Sequence, residues 1–249
     1  MKLAVYTLAY NEEKIIHHFI NHYKQFCDKI VVYDNMSTDS TKRIAEESGC
    51  EVIQWEAPGG GLNDQSYLDI KQECYKNDQD YDYVMVTDCD EYFTHNEGVQ
   101  AFVKYLKKCK REGITVPKVQ GFNMVGDADS TTIPDIIQGV PSKSYSKRCI
   151  FKPTLDMKWT FGCHPQHSQG LLDATKNVIE SPTTEIHLLH YKYINLKYVI
   201  DRHRQYSERL SKFNKDRGLA VHYDYGVDVI EKEYADIFKS SIKVIKNGS

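Results

Sequence analysis

Tyr83-Val84-Met85-Val86-Thr87-Asp88-Cys89-Asp90-Glu91-Tyr92-Phe93 is the stretch on which the fold turns. Its first five residues form a compact apolar run with β-branched side chains, as in a strand buried on both faces of a sheet. The run meets three carboxylates. Grouped at the end of a buried strand, Asp88, Asp90 and Glu91 repel one another and are costly to desolvate, so the arrangement makes best sense if a cation neutralises them. Ligands of open α/β sheets bind beyond the carboxyl ends of the strands, where this cluster would lie. A hard divalent ion, Mn²⁺ or Mg²⁺, suits carboxylate and phosphate oxygens. Taken alone, Asp-x-Asp after a strand is more simply a solvated turn; the rest of the chain shifts the balance.

Upstream, strand-like and helix-like segments alternate, which implies parallel strands joined by helical crossovers and an α/β class. Lys2 to Leu8 reads as a strand. Ile15, Ile16, Phe19, Ile20, Tyr23 and Phe26 follow at helical spacing, and strands are expected at Lys29 to Tyr33 and Glu51 to Gln54. Between those strands, Asn35 to Ser40 is rich in capping residues and should start a helix running to about Ser48. Pro58-Gly59-Gly60-Gly61 breaks regular structure before a helix from about Asp64 to Lys76. Downstream, a helix is expected over Glu97 to Arg111 and strands near Lys118 to Met124, Lys147 to Phe151 and Glu185 to Leu189. A long charged helix should cover Leu196 to Lys215 and a last one Val227 to Lys246. The expected organisation is a catalytic domain over 1–215 with a helical extension, 216–249, packed on it.

The chain resembles the family 2 glycosyltransferases and their neighbours of the GT-A fold. Leu8-Ala9-Tyr10-Asn11-Glu12-Glu13 is similar to their first-strand Asn-Glu motif. Val32-Tyr33-Asp34-Asn35-Met36-Ser37-Thr38-Asp39-Ser40-Thr41 resembles their Asp-x-x-Ser-x-Asp-x-Thr turn, and Asp88-Cys89-Asp90-Glu91 their metal-binding Asp-x-Asp followed by Glu. His190-Tyr191-Lys192, with Arg204, Tyr206 and Arg209 on the next helix, resembles the segment that closes some members. The match runs in order to about Lys212.

The resemblance implies a nucleotide-sugar-binding, Rossmann-like mixed sheet flanked by helices. It implies transfer of a sugar from a nucleotide-diphosphate donor to a hydroxyl acceptor, a glycan or lipid-linked saccharide, by direct displacement. Ala9, Asn11, Glu12 and Asp34 would hold the nucleoside; a carboxylate suits ribose or a base N–H because it offers acceptors only. Gln65 lies where relatives place a polar residue facing the donor, against the alternative of an exposed helix side chain. Asp88 and Asp90 would hold Mn²⁺ or Mg²⁺ near the diphosphate, and Asp88 would also face the donor. His190 would complete the metal shell or touch phosphate, and an imidazole ligand favours Mn²⁺. Lys192 or Arg148 would assist the leaving diphosphate.

The catalytic base is less evident. Phe161-Gly162-Cys163-His164-Pro165 resembles the segment where many relatives carry His-Glu, but Pro165 stands at the Glu position and has no titratable group. Transfer needs a carboxylate or imidazole within hydrogen-bond reach of the acceptor hydroxyl. Candidates are His164, His167, Asp156, Asp127 and Asp129. The segments Ala57 to Asn63 and Val125 to Ser144 are expected to close over the substrates and exclude water.

Three other readings compete. A haloacid dehalogenase-type phosphatase also uses Asp-x-Asp after a strand, but on an early strand and continuing to Thr or Val. A nucleotidyltransferase would need an early Gly-rich phosphate loop, which is missing. A catalytically inactive carbohydrate- or nucleotide-binding domain of the same fold is kept open by Pro165.

Composition is ordinary for a globular protein: 249 residues, 41% hydrophobic and 27% charged, can bury a full core. The formal net charge of −3 gives no electrostatic footprint for nucleic acid. No run approaches the roughly 18–20 apolar residues of a membrane span, so any membrane contact would be peripheral. The N-terminal run is too short for a signal peptide. Seven scattered cysteines without a Cys-x-x-Cys pair argue against a disulfide framework or a structural zinc. A cytoplasmic location is expected.

Overall fold

The computed structural model describes residues 1–127, 132–161, 171–172 and 178–245. Four strands form its first sheet in parallel: β1 (Leu3–Ala9), β2 (Lys29–Asp34), β3 (Glu51–Gln54) and β4 (Tyr83–Asp88), in the order β3-β2-β1-β4. The crossovers are α1 (Ile16–Tyr23), α2 (Thr41–Glu47) and α3 (Asp64–Glu73). α1 buries Ile16, Phe19, Ile20 and Tyr23, one stripe at 3.6-residue spacing, against the sheet. β1 is buried along its whole length, and β4 as far as Thr87. The expected α/β class with parallel strands and helical crossovers is the one the chain adopts.

A second, mixed sheet is built from β5 (Glu91–His95), β6 (Val119–Val125) and β7 (Gln138–Ser142), with α4 (Val99–Arg111) between β5 and β6. The chain then passes through β8 (Ile150–Phe151), β9 (Met157–Lys158), β10 (Leu171–Leu172), β11 (Ile186–Tyr193), α5 (Leu196–Glu208), α6 (Lys212–Arg217), α7 (Val227–Ser240) and β12 (Ile242–Lys243). β8 pairs antiparallel to β4, and the second sheet runs β12-β7-β6-β11-β5. Among the described residues no helix is long and apolar enough to cross a membrane.

Only Cys89 and Asp90 separate β4 from β5, so the acidic turn is the corner where the chain leaves one sheet for the other. The corner is sewn to both sheets: Asp88 sits opposite Leu8 of β1, Glu91 opposite His190 of β11, and the Tyr191 N–H donates to the Asp90 carbonyl at 2.8 Å. β1 leads by its crossover to β2 on one side while β4 lies on the other. The turn therefore stands at the carboxyl ends of the strands where the strand order reverses, a place where such sheets bind ligands.

Three expectations about elements are corrected. The helix expected over Leu196 to Lys215 breaks after Glu208, because the Arg209 carbonyl accepts from Leu62 N and Ser211 N donates to the Leu62 carbonyl; Ser211 then caps α6. The last helix stops at Ser240 and gives way to β12. The strand expected from Lys147 starts only at Ile150, since Lys147 and Arg148 turn their side chains to Glu91 and Glu180. In the two segments expected to close over substrates, Leu62 is bridged to Leu210 and Gln138–Ser142 is a paired strand, while 128–131 lie outside the described residues.

Candidate functional site

Each carboxylate of the corner faces a basic side chain. Asp88 Oδ1 accepts from Lys71 Nζ at 2.8 Å, Glu91 Oε1 pairs with Lys147 Nζ, and Asp90 Oδ2 lies 3.4 Å from Arg202 Nη2. Lys71 is only 3% exposed. It shares the buried stripe of α3 with Leu68, and its charge could sit there only with a carboxylate in reach. Burial alone would raise the Asp88 carboxyl; Lys71 and Lys147 outweigh it and hold the group below the usual carboxylate range. Burial likewise opposes ionisation of Asp90, and His190 with Arg202 overcome it, so Asp90 stays charged well into acid.

His190 is the fourth partner of the corner. In the second sheet it stands in register with Glu91 on one side and Asn123 on the other. Its Nδ1 lies 2.9 Å from Asn123 Oδ1, and Tyr145 stacks on the ring at 3.8 Å and 18°. With Asn123 oriented to accept from Nδ1, Nε2 is the ring nitrogen turned to Asp90, the one a metal ion would displace a proton from and bind. That Nε2 lies 3.5 Å from Asp90 Oδ2. The gap is long for a hydrogen bond, yet short enough for both atoms to ligate one ion at about 2.1 Å each. Among the described residues no three His, Cys, Asp or Glu side chains converge as a complete cage. An ion held by the Asp90–His190 pair would therefore have to draw the rest of its shell from other donors.

The corner opens on a cavity of about 400 Å³. Leu8, Tyr10 and Glu12 line it from the end of β1, and α5 contributes Val199, Arg202, His203 and Tyr206 from one helical stripe. Arg202 links the two groups. Its Nη1 donates to Glu12 Oε2 at 2.6 Å and to the Tyr198 hydroxyl at 2.9 Å. The roof is residues 218–223, from the segment expected to be an extension. Lys192 also lines the cavity and pairs with Glu233 of α7 at 3.5 Å.

The residues singled out from sequence are thus distributed unevenly. Glu12, Asp88, Asp90, His190 and Lys192 share the cavity wall. Ala9 is buried in β1, where its carbonyl accepts from Asn35 N. The Asn11 side chain bridges loops, accepting from the N–H groups of Thr38 and Asp39, and φ of 51° aims it there. Asp34 is fully buried and accepts from Ser37 N and Gln54, while its Oδ1 has no partner among the described residues. Gln65 is exposed on α3 and bonds Asp69. Asp156 lies away from the cavity, paired with Lys76 and Lys158. Asp127 is exposed just beyond β6. His164, His167 and Asp129 lie outside the described residues.

Lys71, Lys147, Arg202, Tyr145 and residues 218–223 were not read from sequence. A signal existed for two of them: Lys71 shares a helical stripe with Leu68, and Arg202 falls between Val199 and Tyr206 on the cavity-facing stripe of α5. Lys147 carries no comparable local signal.

No protein-family model matches the chain. Over 76 residues it is 36% identical to Protein RfbJ of Shigella flexneri, a match covering 29% of this chain and 59% of RfbJ. Among solved structures it is similar to glucosyl-3-phosphoglycerate synthase from Mycobacterium tuberculosis in complex with Mn²⁺, UDP and glucosyl-3-phosphoglycerate. Identity there is 24%, coverage 49% of this chain and 44% of the synthase, and the TM-score 0.34. The same synthase with Mg²⁺ and UDP matches at 22% identity, 49% and 43% coverage and a TM-score of 0.33. The chain thus spans under two thirds of RfbJ and under half of the synthase.

Proposed function

We propose that the chain is a metal-dependent glycosyltransferase of GT-A type, moving a sugar from a nucleotide-diphosphate sugar to a hydroxyl acceptor, a glycan or lipid-linked saccharide, by direct displacement. The observation that carries this reading is the Asp90–His190 pair, 3.5 Å apart at the sheet corner, with His190 Nδ1 engaged by Asn123. Bound there, Mn²⁺ or Mg²⁺ supplies Lewis-acid stabilisation of the departing diphosphate, and the imidazole ligand favours Mn²⁺.

The chain's own groups divide the remaining work. Arg202 holds Glu12 and steadies Asp90 from the opposite side. Lys71 and Lys147 offset the like charges of Asp88 and Glu91: Asp88 is held below the usual carboxylate range, while burial still pushes Glu91 up despite Lys147. Asp88, its side chain 38% exposed toward the cavity, offers acceptors to a donor hydroxyl. His164 remains the candidate base. We read 1–215 as the catalytic domain, with 216–249 as an extension that roofs its cavity. The six described cysteines are free thiols, in keeping with the cytoplasmic location we assign.

A second reading, a nucleotide-binding domain without turnover, is favoured by the protein cations already set against every carboxylate of the corner. One experiment separates the two. A panel of nucleotide sugars and their nucleoside diphosphates is added with and without Mn²⁺, and thermal shift and donor hydrolysis are measured. UDP is the first probe, being the nucleotide in the mycobacterial synthase complex. Metal-dependent stabilisation with slow donor hydrolysis is expected. Binding without hydrolysis or transfer selects the second reading, and absence of metal-dependent binding across the panel removes the proposal.

A further inference from the structure

The cavity wall has two chemically different parts. Asp88, Asp90 and His190 make one. The other is imidazole and tyrosine: His203 from α5, with His222 and Tyr223 from the turn Val221–Asp224. His203 is 3% exposed, lines the cavity, and has no hydrogen-bond partner at either ring nitrogen among the described residues. Buried polar groups are nearly always satisfied, so an imidazole with both nitrogens unmet on a cavity wall points to a ligand. Burial, reinforced by Lys192 and His222, brings its pKa down to about 4. The ring is uncharged at neutral pH and offers one donor and one acceptor.

The surroundings limit what that ligand is. Lys192 is engaged by Glu233, so the nearest full charges compensate each other. Tyr223 stacks on Tyr206 with ring centres 4.7 Å apart, and its ring centre lies 4.1 Å from that of His222. Aromatic rings beside a neutral donor–acceptor pair match a sugar ring, with apolar C–H faces and hydroxyls that both donate and accept.

We infer that this part of the cavity wall forms the acceptor subsite and takes an uncharged pyranoside, with His203 exchanging two hydrogen bonds with its hydroxyls. The inference rests on the glycosyltransferase reading of the Asp90–His190 corner. It gives the C-terminal segment a role in substrate choice, because His222 and Tyr223 belong to it.

The test uses the full chain with UDP and Mn²⁺, histidine-labelled for NMR, titrated with the methyl α-pyranosides of glucose, mannose and galactose. At least one should shift the His203 ring signals saturably. Its affinity should fall about tenfold in His203→Ala and recover in part in His203→Gln, which keeps one donor and one acceptor. Stabilisation by UDP and Mn²⁺ should be unchanged in both variants, which also shows that they fold. The inference is overturned if no glycoside moves the His203 signals, or if binding is equal in His203→Ala. A wild-type protein that UDP and Mn²⁺ fail to stabilise marks the separate failure of the glycosyltransferase reading and takes the acceptor assignment with it.

Discussion

Arg202 Nη1 donates to Glu12 Oε2 at 2.6 Å, joining residues 190 apart in sequence, and its Nη2 lies 3.4 Å from Asp90. One guanidinium thus ties the loop after β1, the acidic corner and α5 into a single wall. Both side chains of the pair are largely buried, at 15% and 5% exposure. Arg202→Met leaves the Glu12 carboxylate buried without its partner and should cost about 3–5 kcal/mol, lowering Tm by roughly 10 °C. Arg202→Lys should recover little, because one ammonium cannot reproduce the fork to Glu12, Tyr198 and Tyr206. Calorimetry of the two variants checks this; a loss under 1 kcal/mol for Met would show that the pair is not structural.

Asn123 touches no substrate in the proposed mechanism, yet it orients the His190 ring. Asn123→Ala should weaken apparent Mn²⁺ affinity by about 10–100-fold, read from Mn²⁺ titration of the UDP-dependent thermal shift. His190→Ala and Asp90→Ala should abolish the metal dependence, and a chelator should do the same to the wild type. Wild-type Mn²⁺ affinity in Asn123→Ala would rule out the orienting role.

Gly59 and Gly61 have nearly the same backbone, with φ of +79° and +76°, but different surroundings. A Cβ at Gly59 meets nothing within 4 Å, whereas at Gly61 it would lie 2.3 Å from the Arg209 carbonyl oxygen. Gly59→Ala should cost about 1 kcal/mol, the left-handed backbone penalty alone. Gly61→Ala should cost about 2–4 kcal/mol, and because Leu62 N donates to that same Arg209 carbonyl, it should expose the α5–α6 junction to protease. Equal effects of the two substitutions in urea unfolding would contradict the close approach.

His22 supplies a pH dependence remote from the site. Burial, against the opposing contact with the Phe93 carbonyl, brings its pKa down to about 4. The folded pKa is below the unfolded value of about 6.5, so the unfolded chain binds more protons between the two. Stability should therefore be full above pH 6.5 and decline by roughly 2–3 kcal/mol as pH falls to 4. His22→Gln should flatten this part of the pH–stability profile, and an unchanged slope in that variant would remove His22 as its source.

Local pattern was enough for most elements. β1 to β4 and the helices between them were legible because each is a continuous apolar run or a single 3.6-residue stripe, both properties of neighbouring residues. β5 was missed because Glu91-Tyr92-Phe93-Thr94-His95 follows the acidic turn without alternation; its pairing with β11 makes it a strand. Asn11 shows the opposite failure. Its place beside Glu12 suggested a nucleoside contact, while its left-handed backbone turns the amide onto Thr38 and Asp39.

By itself, the sequence determined the α/β class, the strand that ends in Asp88, and the carboxylates that need neutralising. Only the tertiary structure decided what neutralises them: Lys71, Lys147 and Arg202 reach Asp88, Glu91 and Asp90, 17, 56 and 112 residues away. Hydrophobic period and turn chemistry act over a few bonds, whereas a charge pair depends on which strands and helices lie side by side, a choice made by burial over the whole chain.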